Sequence, residues 1–162
     1  MTHSEKYLNF IESSLKKLER SRLIIKNQGP SSIKKSIFNK YKILYHTLLK
    51  YHSQITNMNG LILEFGVYNG TSINMMSSIF KNQSVYGFDS FVGFPDDGRT
   101  DWQHDFSREG KMPKVNSNVK LVKGWFNESL PKFLSEHNEP VAFIHIDCDL
   151  YSSTMYFSEL FT

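Results

Sequence analysis

Apolar positions recur at two different periods along this chain, and the change between them falls near residue 60. From about Ser4 to Lys26, Tyr7, Leu8, Ile11, Leu15 and Leu18 are spaced by three or four, which stacks them on one helical face. The stretch NQGP at 27–30 then combines a helix-stopping glycine with a proline. A second stripe follows from about Ser32 through Ile33, Ile37, Tyr41, Leu44, Leu48 and Tyr51, and NMNG at 57–60 closes it. From Leu61 the apolar residues gather into short runs: LILEF at 61–65, SVYGFD at 84–89, NVKLVKGWF at 118–126 and VAFIHID at 141–147. Helical spacing separates them in TSINMMSSIF (71–80) and NESLPKFLSEH (127–137), and returns in STMYFSELF (153–161). Asn127 is the expected N-cap of the second of these, with Pro131 tolerated only near its first turn.

Strands alternating with helices predict parallel pairing through right-handed crossovers. The expected fold is therefore an α/β sheet covered on both faces; its fourth strand (Val141, Ala142, Phe143, Ile144, Ile146) has the composition of a fully buried strand, but with no fifth strand placed beside it the expectation is an exposed edge. Two helices precede it, giving a helical segment over 1–57 and an α/β domain over 58–162. Residues 90–117 are polar and rich in turn formers, and a loop of that length in a compact domain is usually functional or mobile.

Composition narrows the class. A chain of 162 residues holds one domain with a real core, and an aromatic content of 14% favours a filled interior over disorder. The N-terminus lacks a signal peptide's apolar core, no run approaches a membrane span, and the lone Cys148 excludes an intrachain disulfide. The expected compartment is cytoplasmic. Residues 1–60 carry eleven Lys/Arg against three Glu, and residues 61–162 carry eight against thirteen Asp/Glu. The basic residues are spread along both amphipathic stripes, which reads as solvated helix faces and not as a polyanion-binding block.

The stretch EFGVYNGTS (64–72) bears the most chemistry. Gly66 ends the first strand and Gly70 opens a helix, so the backbone can turn sharply and a ligand can approach its amides. A pyrophosphate site would need G-x-G-x-x-G, whereas Val67 follows Gly66 directly and the spacing here is G-x-x-x-G. A ligand with a small carboxylate, such as the methionine part of S-adenosylmethionine, suits it better. Asp89 closes the second strand 23 residues past Gly66, where an acid typically accepts hydrogen bonds from both ribose hydroxyls.

Together LEFGVYNGTSINMM, VYGFDSFVGFP, VKLVKGWFNESLP and FIHIDCDLYSST resemble the TylF/MycF-type (macrocin) O-methyltransferases, a class I S-adenosylmethionine-dependent family. The resemblance covers roughly 61–155. It implies a Rossmann-like fold, a sugar-containing small molecule as hydroxyl acceptor, and Mg2+. By motif, Glu64, Gly66, Val67, Tyr68, Gly70 and Ser72 would line the methionine end of the cofactor, and Asp89 the ribose. Ser90, Gly124 and Trp125 would border the adenine, with Trp125 alternatively a core aromatic. Asp147 would face the cofactor and hold the metal, with Asp149 a neighbouring ligand. Helix caps are the alternative role for this acidic pair. His104 on the long loop is the candidate base by location and type, and His145 is expected to be a core or cofactor-facing histidine.

The family's sheet has seven strands, of which four can be placed here. The expectation is thus an incomplete domain, impaired alone, whose N-terminal helices serve as a lid or oligomerisation surface. Two other classes compete. An amino-methylating nucleic-acid enzyme usually carries an Asn/Asp-Pro-Pro-aromatic motif after the fourth strand, where this chain reads DCDLY, so nucleic acid is not expected. A non-catalytic cofactor-binding or assembly protein is the other.

Overall fold

Four parallel strands, β1 (Leu61–Phe65), β2 (Val85–Asp89), β3 (Val119–Lys123) and β4 (Val141–Ile146), form one sheet in the order β3-β2-β1-β4. They are seen in a computed structural model that describes residues 31–95 and 106–148, with side chains from residue 39. The first helical stripe, the NQGP stop and the run at 153–161 lie outside the described residues. The chain divides into two compact units, residues 1–50 and 51–162, and the sheet belongs to the second.

Each expected strand forms within a residue or two of its apolar run, and every pairing is parallel. Helix α1 (Ser31–Asn57) precedes the sheet, α2 (Thr71–Ile79) joins β1 to β2, and α3 (Phe126–Glu136) joins β3 to β4. This is a Rossmann-like arrangement. The strand order reverses at β1, which has β2 on one side and β4 on the other, and ligands of open α/β sheets bind at such a reversal.

β1 is buried along its whole length. Leu61, Leu63 and Phe65 pack with Phe88, Leu130 and Phe133, so the α3 side of the sheet is filled by apolar and aromatic groups. Full burial of such side chains contributes roughly 1.5–3 kcal/mol each. Along the strand, side chains alternate faces, and Glu64 points to the opposite side, toward Ser72 of α2. A charged residue in the most buried strand is the first sign of something other than packing.

Two expectations are corrected. In α1 the buried positions are Leu44, Tyr45, Leu48 and Ile55, while Tyr51 is exposed. Seven residues from Leu48 to Ile55 make nearly two full turns and hold the face, whereas three residues to Tyr51 fall short of one. The N-cap of α3 is Trp125, two residues ahead of Asn127, and Pro131 lies beyond the first turn of the helix. The helix starts early because the Trp125 carbonyl accepts N–H bonds from Glu128 and Ser129. β4 is the expected edge: it is half-buried, with Ile146 exposed. Among the described strands it pairs only with β1, which leaves its outer flank open.

No regular helix or strand forms in the described parts of 90–117, as its turn formers predict. The segment leading into β3 is fastened to the end of α2 by asparagines. Asn118 donates its side-chain amide to the carbonyls of Ser77, Phe80 and Gln83 at 3.0–3.1 Å, the first two being acceptors that the end of α2 leaves open. Asn116 donates to Asn74 and to the Ser77 hydroxyl. Asn118→Ala should therefore destabilise the fold by about 2 kcal/mol, measured by equilibrium urea unfolding. A loss below about 0.5 kcal/mol would mean the fastening is solvated and idle.

Among the described residues, no helix is long and apolar enough to cross a membrane.

Candidate functional site

The carboxyl ends of β1 and β4 carry the backbone of the site. The Asp147 N–H donates to the Phe65 carbonyl at 2.8 Å, and the Gly66 N–H donates to the Phe88 carbonyl at 2.9 Å. Gly66 has φ 90°, and the chain leaving β4 passes so close that a Cβ on Gly66 would sit 2.2 Å from the Asp147 carbonyl oxygen. From Val67 the chain turns back at once, closed by the Gly70 N–H donating to the Val67 carbonyl at 2.9 Å. Tyr68 is in the left-handed region at φ 48°, and Gly70, the N-cap of α2 at φ 82°, has no side-chain cap. The first-turn amides of α2 lack intrahelical acceptors by geometry and favour an anion beside them.

Under this turn lies a buried polar cluster. Glu64 is fully buried, and its Oε1 accepts a hydrogen bond from the Ser72 hydroxyl. Across the sheet, Glu64 and His145 occupy paired positions of β1 and β4. The imidazole Nδ1 is 3.6 Å from Oε1, too long for a hydrogen bond, and among the described residues neither Glu64 Oε2 nor His145 Nδ1 has a hydrogen-bond partner. Burial pushes the Glu64 carboxyl above its ordinary range, and the nearby Asp147 adds to the rise; His145 and Ser72 oppose it without cancelling it. An unsatisfied buried acceptor of this kind costs free energy in folding and suits a cationic N–H donor.

Asp89 stands at the end of β2. Its Oδ2 accepts the N–H groups of Val67 and Tyr68, and its Oδ1 that of Phe91, all at 2.7–2.8 Å. Ser90 is buried, and its hydroxyl donates to the Gly93 carbonyl within the same turn. Gly124 donates its N–H to the Asp89 carbonyl at 3.1 Å, so the turn after β3 lies against β2. Trp125 follows as the N-cap of α3 and is half-exposed.

The turns after β1, β2 and β3 and the end of β4 thus bring together Glu64, Gly66, Val67, Tyr68, Gly70, Ser72, Asp89, Ser90, Gly124, Trp125 and Asp147 along one edge of the sheet. His104 and Asp149 lie outside the described residues. Among the described residues, no group of three or more His, Cys, Asp or Glu side chains could hold a metal ion. Two features escaped the reading of the sequence. The Glu64–His145 opposition could have been found by aligning the strand ends EFG and HID, one residue short of each turn. The rings of Tyr68, Phe106 and Phe94 contact edge-to-face at 5.3–5.4 Å, linking the glycine turn to both flanks of residues 96–105. Nothing in the local sequence marks that contact.

A family profile described as a methyltransferase domain matches residues 63–161. Among solved structures, CalS11, a calicheamicin methyltransferase, aligns at a TM-score of 0.58 and 20% identity, over 99% of this chain and 74% of that one. Its apo form, described as a TDP-rhamnose 3′-O-methyltransferase of calicheamicin biosynthesis, aligns at 0.54 and 19% over the same shares. The O-methyltransferase NovP aligns at 0.45 and 22%, over 68% of this chain and 55% of that one. At these identities the likeness to the two CalS11 structures speaks for the fold alone. No curated protein matches the chain significantly.

Proposed function

The chain belongs to the methyltransferase-domain family, and from that premise we propose that it transfers a methyl group from S-adenosylmethionine to a hydroxyl of a sugar-containing small molecule. One observation carries the cofactor assignment: Glu64 Oε2, a buried acceptor without a hydrogen-bond partner among the described residues, sits beneath a glycine turn at the reversal of strand order. An α-ammonium is the complementary donor for such an oxygen. The α-carboxylate fits the first turn of α2, and Asp89 retains one unused acceptor position on Oδ1 for the nucleoside.

When bound, the cofactor supplies an electrophilic methyl group on a sulfonium. The chain's own contribution is placement. Glu64 and the Gly66–Gly70 turn, with Val67, Tyr68 and Ser72, would fix the methionine end, Asp89 the ribose, and Ser90, Gly124 and Trp125 the adenine. Holding acceptor and donor in line removes a large entropic part of the barrier. The sugar acceptor and the TylF/MycF relationship rest on the quoted motifs.

Asp147, with Asp149, would hold a Mg2+ ion, which prefers oxygen ligands and commonly takes only one or two carboxylates. Such an ion makes a bound hydroxyl more acidic. His104 is the proposed acceptor of the hydroxyl proton. The N-terminal segment 1–57, as lid or oligomerisation surface, completes the reading.

Calorimetry with S-adenosylhomocysteine is the direct test, and saturable 1:1 binding is the expected result. Methyl transfer from labelled S-adenosylmethionine to nucleotide-activated deoxysugars should then appear and fall on adding EDTA. Absence of binding refutes the cofactor assignment. Binding with EDTA-insensitive transfer refutes the metal alone.

A further inference from the structure

Asp89 makes more hydrogen bonds than a residue reserved for a ribose would make. The bond from the Phe91 N–H to Oδ1 is local, a turn closed two residues on. The bonds from Val67 and Tyr68 to Oδ2 reach back 22 and 21 residues, across to the turn after β1. Two of the three donors, Tyr68 at φ 48° and Phe91 at φ 58°, are aromatic residues in the left-handed region. Bulky residues rarely adopt that conformation, and it persists where the surroundings over-determine it. The amides of both converge on this one carboxylate. The Phe91 carbonyl in turn accepts N–H bonds from Arg108 and Gly110, and Lys123 donates to the Gly110 carbonyl. Asp89 is therefore the hub through which the glycine turn, the turn after β2 and the flank of the long loop are joined.

We propose that Asp89 is a positioning residue for the glycine turn, and that it reads the nucleoside through a single ribose hydroxyl. A carboxylate has about four acceptor positions, and three are filled by amides of the described residues. The fourth is on Oδ1. A ribose diol could engage both oxygens only by displacing Val67 or Tyr68, which would loosen the methionine end of the same site. The single-hydroxyl reading rests on the cofactor assignment above; the clasp on the turn does not.

The experiment uses the full chain, its Asp89→Ala variant and amide hydrogen exchange without ligand. Protection of Val67, Tyr68 and Phe91 should fall at least about tenfold in the variant, with the interiors of β1 and β2 much less affected. Unchanged protection at Val67 and Tyr68 overturns the clasp. Should the alanine variant not fold, Asp89→Asn replaces it, because its one amide oxygen can still accept Val67 and Tyr68. Protection should then fall at Phe91 alone, and retention there overturns the proposal.

Calorimetry supplies the second arm, at a temperature where circular dichroism shows both proteins folded. Asp89→Ala should bind 2′,3′-dideoxy S-adenosylhomocysteine at least about fivefold more weakly than the wild type does, although that ligand has no ribose hydroxyl to donate. A residue that only accepts ribose hydroxyls would show no loss with it, and that outcome refutes the positioning role. In the wild type, removing one hydroxyl should cost about tenfold and removing the other under about twofold. Equal losses from the 2′-deoxy and 3′-deoxy ligands overturn the single-hydroxyl reading. A wild-type chain that binds no S-adenosylhomocysteine at all defeats the cofactor assignment and with it the single-hydroxyl reading, while exchange decides the clasp.

Discussion

Gly66→Ala is expected to destabilise the domain by about 3 kcal/mol or more and to abolish cofactor binding. Two costs combine. An L residue at φ 90° is strained by roughly 1–2 kcal/mol. The added Cβ would also meet the Asp147 carbonyl oxygen at 2.2 Å and its carbon at 2.7 Å, atoms that move only with the backbone. Overpacking of this kind typically costs a further 1–3 kcal/mol. Relief requires β1 and β4 to part at the point where Asp147 bonds to Phe65, which is the floor of the site. Gly110→Ala separates the two costs. It has φ 73°, but its new Cβ would meet the end of the flexible Lys123 side chain at 3.0 Å and Val92 only in ordinary van der Waals contact, so the dihedral cost of about 1 kcal/mol should dominate. Differential scanning calorimetry should place Gly66→Ala about 10 °C or more below the wild type. A melting point within about 2 °C of the wild type would show that the chain leaving β4 gives way easily.

Glu64→Gln should produce opposite changes in stability and in binding. In the folded chain the Glu64 carboxyl keeps its proton to higher pH than its ordinary value of 4.5, because burial disfavours the charge and Asp147 adds to that. As pH rises from 4.5 toward the raised value, the folded state holds more protons than the unfolded state, so stability falls across that window and levels off above it. Once ionised, the group is a burden on the fold. Glutamine preserves the shape and the acceptor for Ser72 but carries no charge. The variant should gain stability relative to the wild type as pH rises above 4.5, seen in urea midpoints taken across pH. Parallel pH profiles for the two proteins would mean that Glu64 does not titrate as argued.

The same substitution should weaken S-adenosylhomocysteine binding about 30-fold, since losing a buried charge-assisted pair costs roughly 2 kcal/mol or more. Gain of stability with retained affinity would leave Glu64 without a ligand role. A residue that costs stability and supports binding is expected where function, and not folding, requires the charge.

The strands and helices of the α/β unit were legible because their information is local. Short apolar runs bounded by glycine and asparagine form strands, and three-to-four spacing forms helices, whatever they pack against. The glycine turn and Asp89 were legible for the same reason, as a loop and an acid at definite places after their strands. Where reading failed, a neighbour decided. Tyr51 lost its place on the buried face to Ile55 because the helix face rotates slightly with each turn. Trp125 capped α3 in place of Asn127 because its carbonyl, and no side chain, receives the first amides.

The sequence by itself determined the order of elements, the parallel α/β class and which turns carry polar chemistry. Only the tertiary structure decided what those residues do to one another. Glu64 lies opposite His145 because strands far apart in the chain pair in one register, leaving Glu64 Oε2 buried and without a hydrogen-bond partner among the described residues. Asp89 spends three of its acceptor positions on amides, two of them more than twenty residues away. Hydrogen bonding and desolvation depend on distances of a few ångströms in space, and spacing along the chain carries no record of them until the sheet has formed.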